Sequence, residues 1–252
     1  MFYFLVAPVL TYNWILIASA VIPAIFLMVK VYKSDRLEKE SGGMLINMVV
    51  GGILSTLLAM LLEYIGEPIL GLFLEETDAL YNVLLYFVVV GLVEESSKYF
   101  FLKRRSWNSP EFNCQYDGVV YAVFTSLGFA LWENISYVMH YGFSVALVRA
   151  VTAIPGHAAF GVFMGAFYGV ARGYAYLGEE NKSKTYRKLA VIVPTLIHGA
   201  YDYIASTDSD NATLVFIAFI VVLFIVALRL INKLSKNDRY FAAGRRFNAI
   251  RR

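Results

Sequence analysis

Inside the apolar run 86–102, "YFVVVGLVEESSKYFFL", stand two adjacent carboxylates and a lysine, Glu94, Glu95 and Lys98. Other apolar runs are interrupted in the same way: by Glu133 in "FALWENISY", by His157 in "PGHAAFGVFMG", and by His198 with Asp202 in "HGAYD". Two carboxylates in a low dielectric cannot both ionise easily, and a carboxylate so placed can serve as a general base toward water. Nearby histidines can donate to the oxyanion of a tetrahedral intermediate. The same side chains, His157, His198, Glu95 and Asp202, are also donors that a divalent metal such as zinc takes, so a metal-assisted hydrolysis stays open. No H-E-x-x-H pair, G-x-S-x-G elbow or glycine-rich phosphate loop is present, and Ser96 and Ser97 have no obvious base.

These groups need helices to hold them. The chain has 252 residues, 59% hydrophobic and 16% charged, against about 25% charged in a soluble domain. The apolar residues fall into seven blocks, 10–31, 44–65, 79–102, 117–139, 148–171, 189–206 and 212–231. Each is near the roughly 20 residues that cross a bilayer, and lipid leaves an apolar segment no choice but helix. The expected fold is an all-α polytopic bundle of seven membrane helices. Residues 1–252 are read as one domain, with a catalytic core over 79–206.

Basic residues set the orientation. Of 22 lysines and arginines, all but Lys98 and Arg149 lie at the very end of, or after, the first, third, fifth or seventh block. The alternate loops, "EYIGEPILGLFLEETD", "HYGFS" and "STDSDNAT", carry none. This predicts an outer N-terminus and a cytoplasmic C-terminus. The tail "RYFAAGRRFNAIRR" reads as a stop-transfer tail, with contact to anionic lipid as the alternative. No patch for nucleic acid is visible, and Cys114 alone forms no intrachain disulfide.

Spacing and depth bring the polar groups together. Glu94 with Lys98, and His198 with Asp202, are i,i+4 pairs on one helix face, while Glu95 is turned about 100° from Glu94. At about 1.5 Å per residue, most of these groups fall near the middle of the bilayer, Glu133 and Asp202 in its outer half. A charge at a helix centre costs about 2.5–3.5 kcal/mol on insertion scales, so they are expected to meet. Plainer roles exist for several. Lys98 can snorkel to the interface or hold Glu94 ionised, and Asp202 can be solvated at its helix end. Glu133 can cap backbone, Asn134 and Tyr137 look structural, and Asp117 suits a helix N-cap. Glu94 and Glu95 lack such an account. A proton-coupled transporter is the rival from another class, because intramembrane Glu and His also mark ion paths. An inactive membrane scaffold is a third reading.

The ordered set "EESSK", "DGVVYAVFTSLGFALWENISYV", "PGHAAFGVFMG" and "HGAYD" resembles the PrsW family of intramembrane proteases. More distantly it resembles the CAAX prenyl endopeptidase and Abi superfamily. The resemblance implies a multi-pass cell-membrane peptidase of regulated proteolysis. Its substrate would be a membrane protein, in the best-known branch an anti-sigma factor cut near the outer face. It implies that Glu94 and Glu95 activate water and that Lys98 supports them. Glu133, His157, His198 and Asp202 would complete the site. Glu133 and Asp202 stand where the CAAX relatives carry histidine and asparagine, which adds acidic groups to this site.

Overall fold

This computed structural model describes residues 2–209 and 211–242, with side chains from Trp14 onward. The chain runs through α1 (Phe2–Ser34), α2 (Gly42–Gly71), α3 (Ala79–Leu84), a π-helical segment (Leu85–Leu92) and α4 (Val93–Ser106). It continues through α5 (Asp117–Tyr141), α6 (Phe143–Val151), α7 (Ala153–Tyr176), α8 (Glu180–Ser206) and α9 (Ala212–Lys236). The described residues contain seven spans long and apolar enough to cross a membrane, because α3, the π segment and α4 form one span and α6 with α7 another. The basic tail beyond 242 lies outside the described residues.

Helix α5 is the axis of the bundle. It packs against α7, α2 and α1, and α7 in turn carries α8. Its membrane window is 78% buried, against 22% for α9 at the rim. Close backbone approach makes this possible: a Cβ at Gly165 of α7 would stand 2.5 Å from the Gly118 carbonyl oxygen of α5, so only glycine lets the helices touch there. Large apolar side chains on the outer helices, among them Trp14, Phe26, Ile46, Leu214 and Val222, are exposed and form the lipid-facing surface.

Four expectations about the helices are corrected. The third span is not one regular helix, because eight residues, Leu85–Leu92, adopt π hydrogen bonding immediately before Glu94. Inserted π turns rotate the following face and recur at functional sites. The fifth span is broken at Thr152, where φ is −120° and ψ is −75°. Pro155 explains the break: it cannot donate to the Val151 carbonyl, and its ring excludes that carbonyl from a continuous helix. The outer loop "EYIGEPILGLFLEETD" is largely helical, since α2 passes through Pro68 and ends at Gly71. Glu63 therefore lies on a membrane helix. Asp117 does not cap its own helix either: its Oδ2 accepts from the preceding Asn113 and Cys114 amides at 2.9 and 2.7 Å.

Candidate active site

The π segment ends where α4 begins, and α4 opens with Glu94 and Glu95. Lys98, one turn on, points back at both. Its Nζ donates to Glu94 Oε2 at 2.9 Å and to Glu95 Oε1 at 2.7 Å. It is fully buried, so it does not snorkel, and its ammonium sits 4.0 Å from the centroid of the Phe129 ring. Glu95, expected to be turned away from this pair, shares the ammonium with Glu94.

Helix α8 brings His198 alongside. Its Nδ1 lies 3.0 Å from Glu95 Oε1 and 3.8 Å from Glu94 Oε2, and its Nε2 lies 3.2 Å from Asp202 Oδ2. Both ring nitrogens thus face carboxylate oxygens, which fixes the ring; Phe160 stacks on it at 4.6 Å. Gly199 permits the approach, because a Cβ there would stand 2.6 Å from Phe87 Cδ1 in the π segment. Asp202, partly exposed, is paired with His198 rather than simply solvated.

Helix α7 supplies His157 from just past the Thr152 break. Its Nδ1 is 3.2 Å from Lys98 Nζ and its Nε2 is 2.9 Å from Glu133 Oε2 on α5. An ammonium has no lone pair to offer. His157 therefore accepts at Nδ1 and donates from Nε2 to Glu133, which defines it as the neutral Nε2–H tautomer. Glu133 also pairs with Arg149 Nη2 of α6 at 3.1 Å. Arg149 Nε donates to Asn134 Oδ1 at 2.8 Å, and Asn134 Nδ2 donates to the Ala20 carbonyl. Glu133 is thus part of the polar cluster and no backbone cap, while Asn134 is structural.

All seven residues singled out in the sequence meet in this one network. A cavity of about 680 Å³ opens beside it, lined by Glu94, Glu133, His157, His198 and Asp202. Glu95 and Lys98 stand behind that wall. The cavity lies at the end of the bundle where α2, α5 and α8 finish and α9 begins, the end without basic loops. Sequence reasoning missed Glu63, which lines the same cavity and has a buried Oε1 with no hydrogen-bond partner among the described residues. A lone carboxylate closing an apolar run was its signal, obscured by the Gly66 and Pro68 that follow.

The donors also bear on a metal. Among the described residues near the cavity, Glu94, Glu95 and His157 bring ligand atoms within 4.8 Å of one another. His198 and Asp202 do not join that group. Glu95 Oε2 is buried and has no hydrogen-bond partner among the described residues, a spare ligand atom. Two carboxylates with an imidazole suit a zinc-class ion. The residues therefore fit a metal, although Lys98 Nζ holds the position that all three share and would have to withdraw.

Residues 40–229 match the family model described as "PrsW family intramembrane metalloprotease". "Protease PrsW" of Oceanobacillus iheyensis is 32% identical over 225 residues, covering 88% of this chain and 97% of that one. The protein of the same name from Bacillus subtilis is 31% identical over 218 residues, 86% of this chain and 94% of its own. That from Clostridioides difficile is 31% identical over 227 residues, 87% and 91% of the two chains. No solved structure matches. With seven membrane spans and a match over most of its length, the chain is a multi-pass membrane peptidase and belongs to the PrsW family of intramembrane proteases.

Proposed function

We propose that this chain, acting as one membrane domain, hydrolyses a peptide bond of a membrane-protein substrate in the outward-facing cavity, with Glu94 as the base that activates water. What carries the reading is the division of labour between the paired glutamates. Glu94 lines the cavity, whereas Glu95 is wholly buried behind it between Lys98 and His198. A base must reach the water whose proton it takes, and only Glu94 of the pair borders space for one. Glu95 positions the ammonium and the imidazole ring. The Lys98 charge, shared by both carboxylates, keeps Glu94 oriented.

The substrate segment must be unwound, because peptide bonds in a membrane helix are shielded by their own hydrogen bonds. The mixed polar and apolar wall of the cavity suits a short extended segment. His198 reaches the carbonyl oxygen through Nε2, exchanging its contact with the partly exposed Asp202 for a hydrogen bond to the oxygen as negative charge develops, while Glu95 holds Nδ1. His157, edge-on to the His198 ring at 5.4 Å, is held by Glu133 and Lys98, and Arg149 anchors Glu133. If an ion is bound, Glu94, Glu95 and His157 are the residues that would hold it, and it would supply Lewis acidity and a more acidic water. The substrate class implied by the family is a single-pass membrane protein of the anti-sigma type.

Reconstituted protein and a single-pass substrate test this directly. Wild-type protein should yield two fragments, and Glu94→Gln protein, inserted and folded, should yield none. Ion flux without any cleavage would replace the peptidase site with a transport path.

A further inference from the structure

At the opposite end of the bundle, the end carrying the basic loops, three acidic residues are buried with no ion pair among the described residues. They are Asp35, just after α1; Glu40, just before α2; and Asp117, opening α5. They are 4%, 5% and 1% exposed. One oxygen of each is held by the protein. Asp35 Oδ1 accepts from the Leu37 amide at 3.3 Å, Glu40 Oε2 accepts from the Tyr121 hydroxyl, and Asp117 Oδ2 accepts from the Asn113 and Cys114 amides. The second oxygen of each, Asp35 Oδ2, Glu40 Oε1 and Asp117 Oδ1, is buried with no hydrogen-bond partner among the described residues.

Three buried carboxylates in contact, each with an oxygen left over, are costly unless something positive lies between them. Among the described residues no side-chain cation makes an ion pair with them, and Lys39 acts on Asp35 only through space. The nearby Lys39 ammonium is turned onto the carbonyls of Tyr32 and Asp35. The three residues bring one ligand atom each within 4.8 Å of one another. An oxygen-ligated divalent cation stands about 2.0–2.6 Å from its ligands, so ligands on opposite sides are about 4–5 Å apart. Asp238, after α9, packs beside them: its Oδ1 accepts from the Tyr116 amide at 3.0 Å, and its buried Oδ2 is likewise unpartnered.

We propose that Asp35, Glu40 and Asp117 form a binding site for a hard divalent cation, Mg²⁺ or Ca²⁺, on the cytoplasmic side, with Asp238 at its edge. All the ligand atoms are carboxylate oxygens, and no histidine is present, which selects this class over zinc. Cys114 is close, but its thiol donates to Asn113 Oδ1 at 3.0 Å and is spoken for. The ion ties the α1–α2 connection to the start of α5, the helix that holds Glu133 at its far end. It is distinct from any ion at Glu94, Glu95 and His157, and it does not depend on the peptidase reading.

Without a cation, burial holds the Glu40 carboxyl up at about 7, with Asp35 and Glu111 adding negative charge around it and hydrogen bonds with Tyr121 and Asp117 pulling the other way. A cation relieves that, so the two can be separated experimentally. Full-length His157→Ala protein, which lacks an active-site ligand, is stripped with chelator in micelles at pH 7.5. Added Mg²⁺ or Ca²⁺ should raise its unfolding temperature by about 5 °C. Tb³⁺ should emit when tyrosine is excited, through Tyr121, and Ca²⁺ should quench the emission by displacement. Asp35→Asn and Glu40→Gln, which keep the shape and the held oxygen, should abolish both effects, while Glu38→Gln, outside the cluster, should keep both. If neither cation moves the unfolding temperature and acidification from pH 8 to 6 raises it, the carboxyls share protons and there is no cation site. A cation effect that persists in Asp35→Asn and Glu40→Gln overturns the site equally.

Discussion

His198 Nδ1 stands 3.0 Å from Glu95 Oε1, although the two residues are 103 positions apart. The same carboxylate oxygen takes a hydrogen bond from Lys98 at 2.7 Å. Glu95 is therefore the joint between α4 and α8, and Glu94 is the carboxylate left facing the cavity. The two glutamates should then fail differently. Glu94→Gln should lower kcat by about 10²–10⁴, the usual loss of a general base, with little change in stability. Glu95→Gln should cost activity and also loosen the site, because the amide keeps an oxygen for Lys98 and His198 but loses the negative charge that offsets the buried ammonium. Single-turnover cleavage beside thermal unfolding checks this. Equal, wild-type-like cleavage by both variants would remove the paired-glutamate assignment.

Lys98 is wholly buried between two carboxylates, so removing it strands them. Lys98→Met should destabilise the protein by about 3–5 kcal/mol, the cost of breaking one side of a buried ion network. The triple variant Glu94→Gln, Glu95→Gln, Lys98→Met should regain most of that stability while remaining inactive. Denaturant titrations in mixed micelles provide the comparison. A Lys98→Met protein as stable as wild type would mean that the ammonium is not what neutralises this pair.

Gly199→Ala tests the close contact that sets His198. The added Cβ would fall 2.6 Å from Phe87 Cδ1 and 2.9 Å from Phe87 Cα, so backbone must move. The expected cost is about 1–3 kcal/mol of overpacking. Shifting a positioned group by about 1 Å can lower the rate about 10²-fold, and cleavage should fall accordingly. Unchanged kcat with normal expression would show that α8 has slack against the π segment.

Much of this site was legible because lipid makes polar residues conspicuous. In a run such as "GLVEESSKYF" there is no solvent to explain Glu94, Glu95 and Lys98, and i,i+4 spacing alone paired Glu94 with Lys98 and His198 with Asp202. Partners across helices were not legible. The Nε2 of His157 on Glu133, and its Nδ1 on Lys98, depend on the break at Thr152, which tilts the start of α7. The π segment left no periodic signal either, because its residues, "LYFVVVGL", are apolar on every side. Glu63 was hidden by a plausible turn signal in Gly66 and Pro68. Asp117 read as a helix N-cap and nothing in the sequence set Asp35 and Glu40 apart, since burial of a loop carboxylate is a tertiary property.

Metal content follows from the donor set. If a zinc-class ion displaces the Lys98 ammonium from Glu94, Glu95 and His157, the purified protein should carry one such ion per chain, and a strong chelator should abolish cleavage, with zinc restoring it. His157→Ala should lose the ion, while His140→Ala, on the exposed end of α5, should keep it. Elemental analysis after gel filtration decides this. Full activity in stripped protein would leave the Lys98 ammonium as the only cation among those donors.

Where the substrate is cut follows from where the cavity opens. Its lining comes from Thr56 to Glu63 of α2, Phe129 to Tyr137 of α5, and His198 to Ser206 of α8. Each of these stretches lies in the half of its helix away from the basic loops. Positive-inside places that half toward the outer face. Water reaches Glu94 from the same side, and a substrate helix unwinds most easily near an interface, where freed amides find water. Arg149, the basic residue at this end, is committed to Glu133 and Asn134 and so fixes the rim. Cleavage should therefore fall in the outer third of the substrate's span. Mass spectrometry of both product termini reads the position, and moving the scissile sequence one helical turn toward the cytoplasm should lower kcat/KM about tenfold or more. Products cut consistently on the cytoplasmic side would require an inward-facing opening past Lys98, and the orientation of the cavity would have to be reversed.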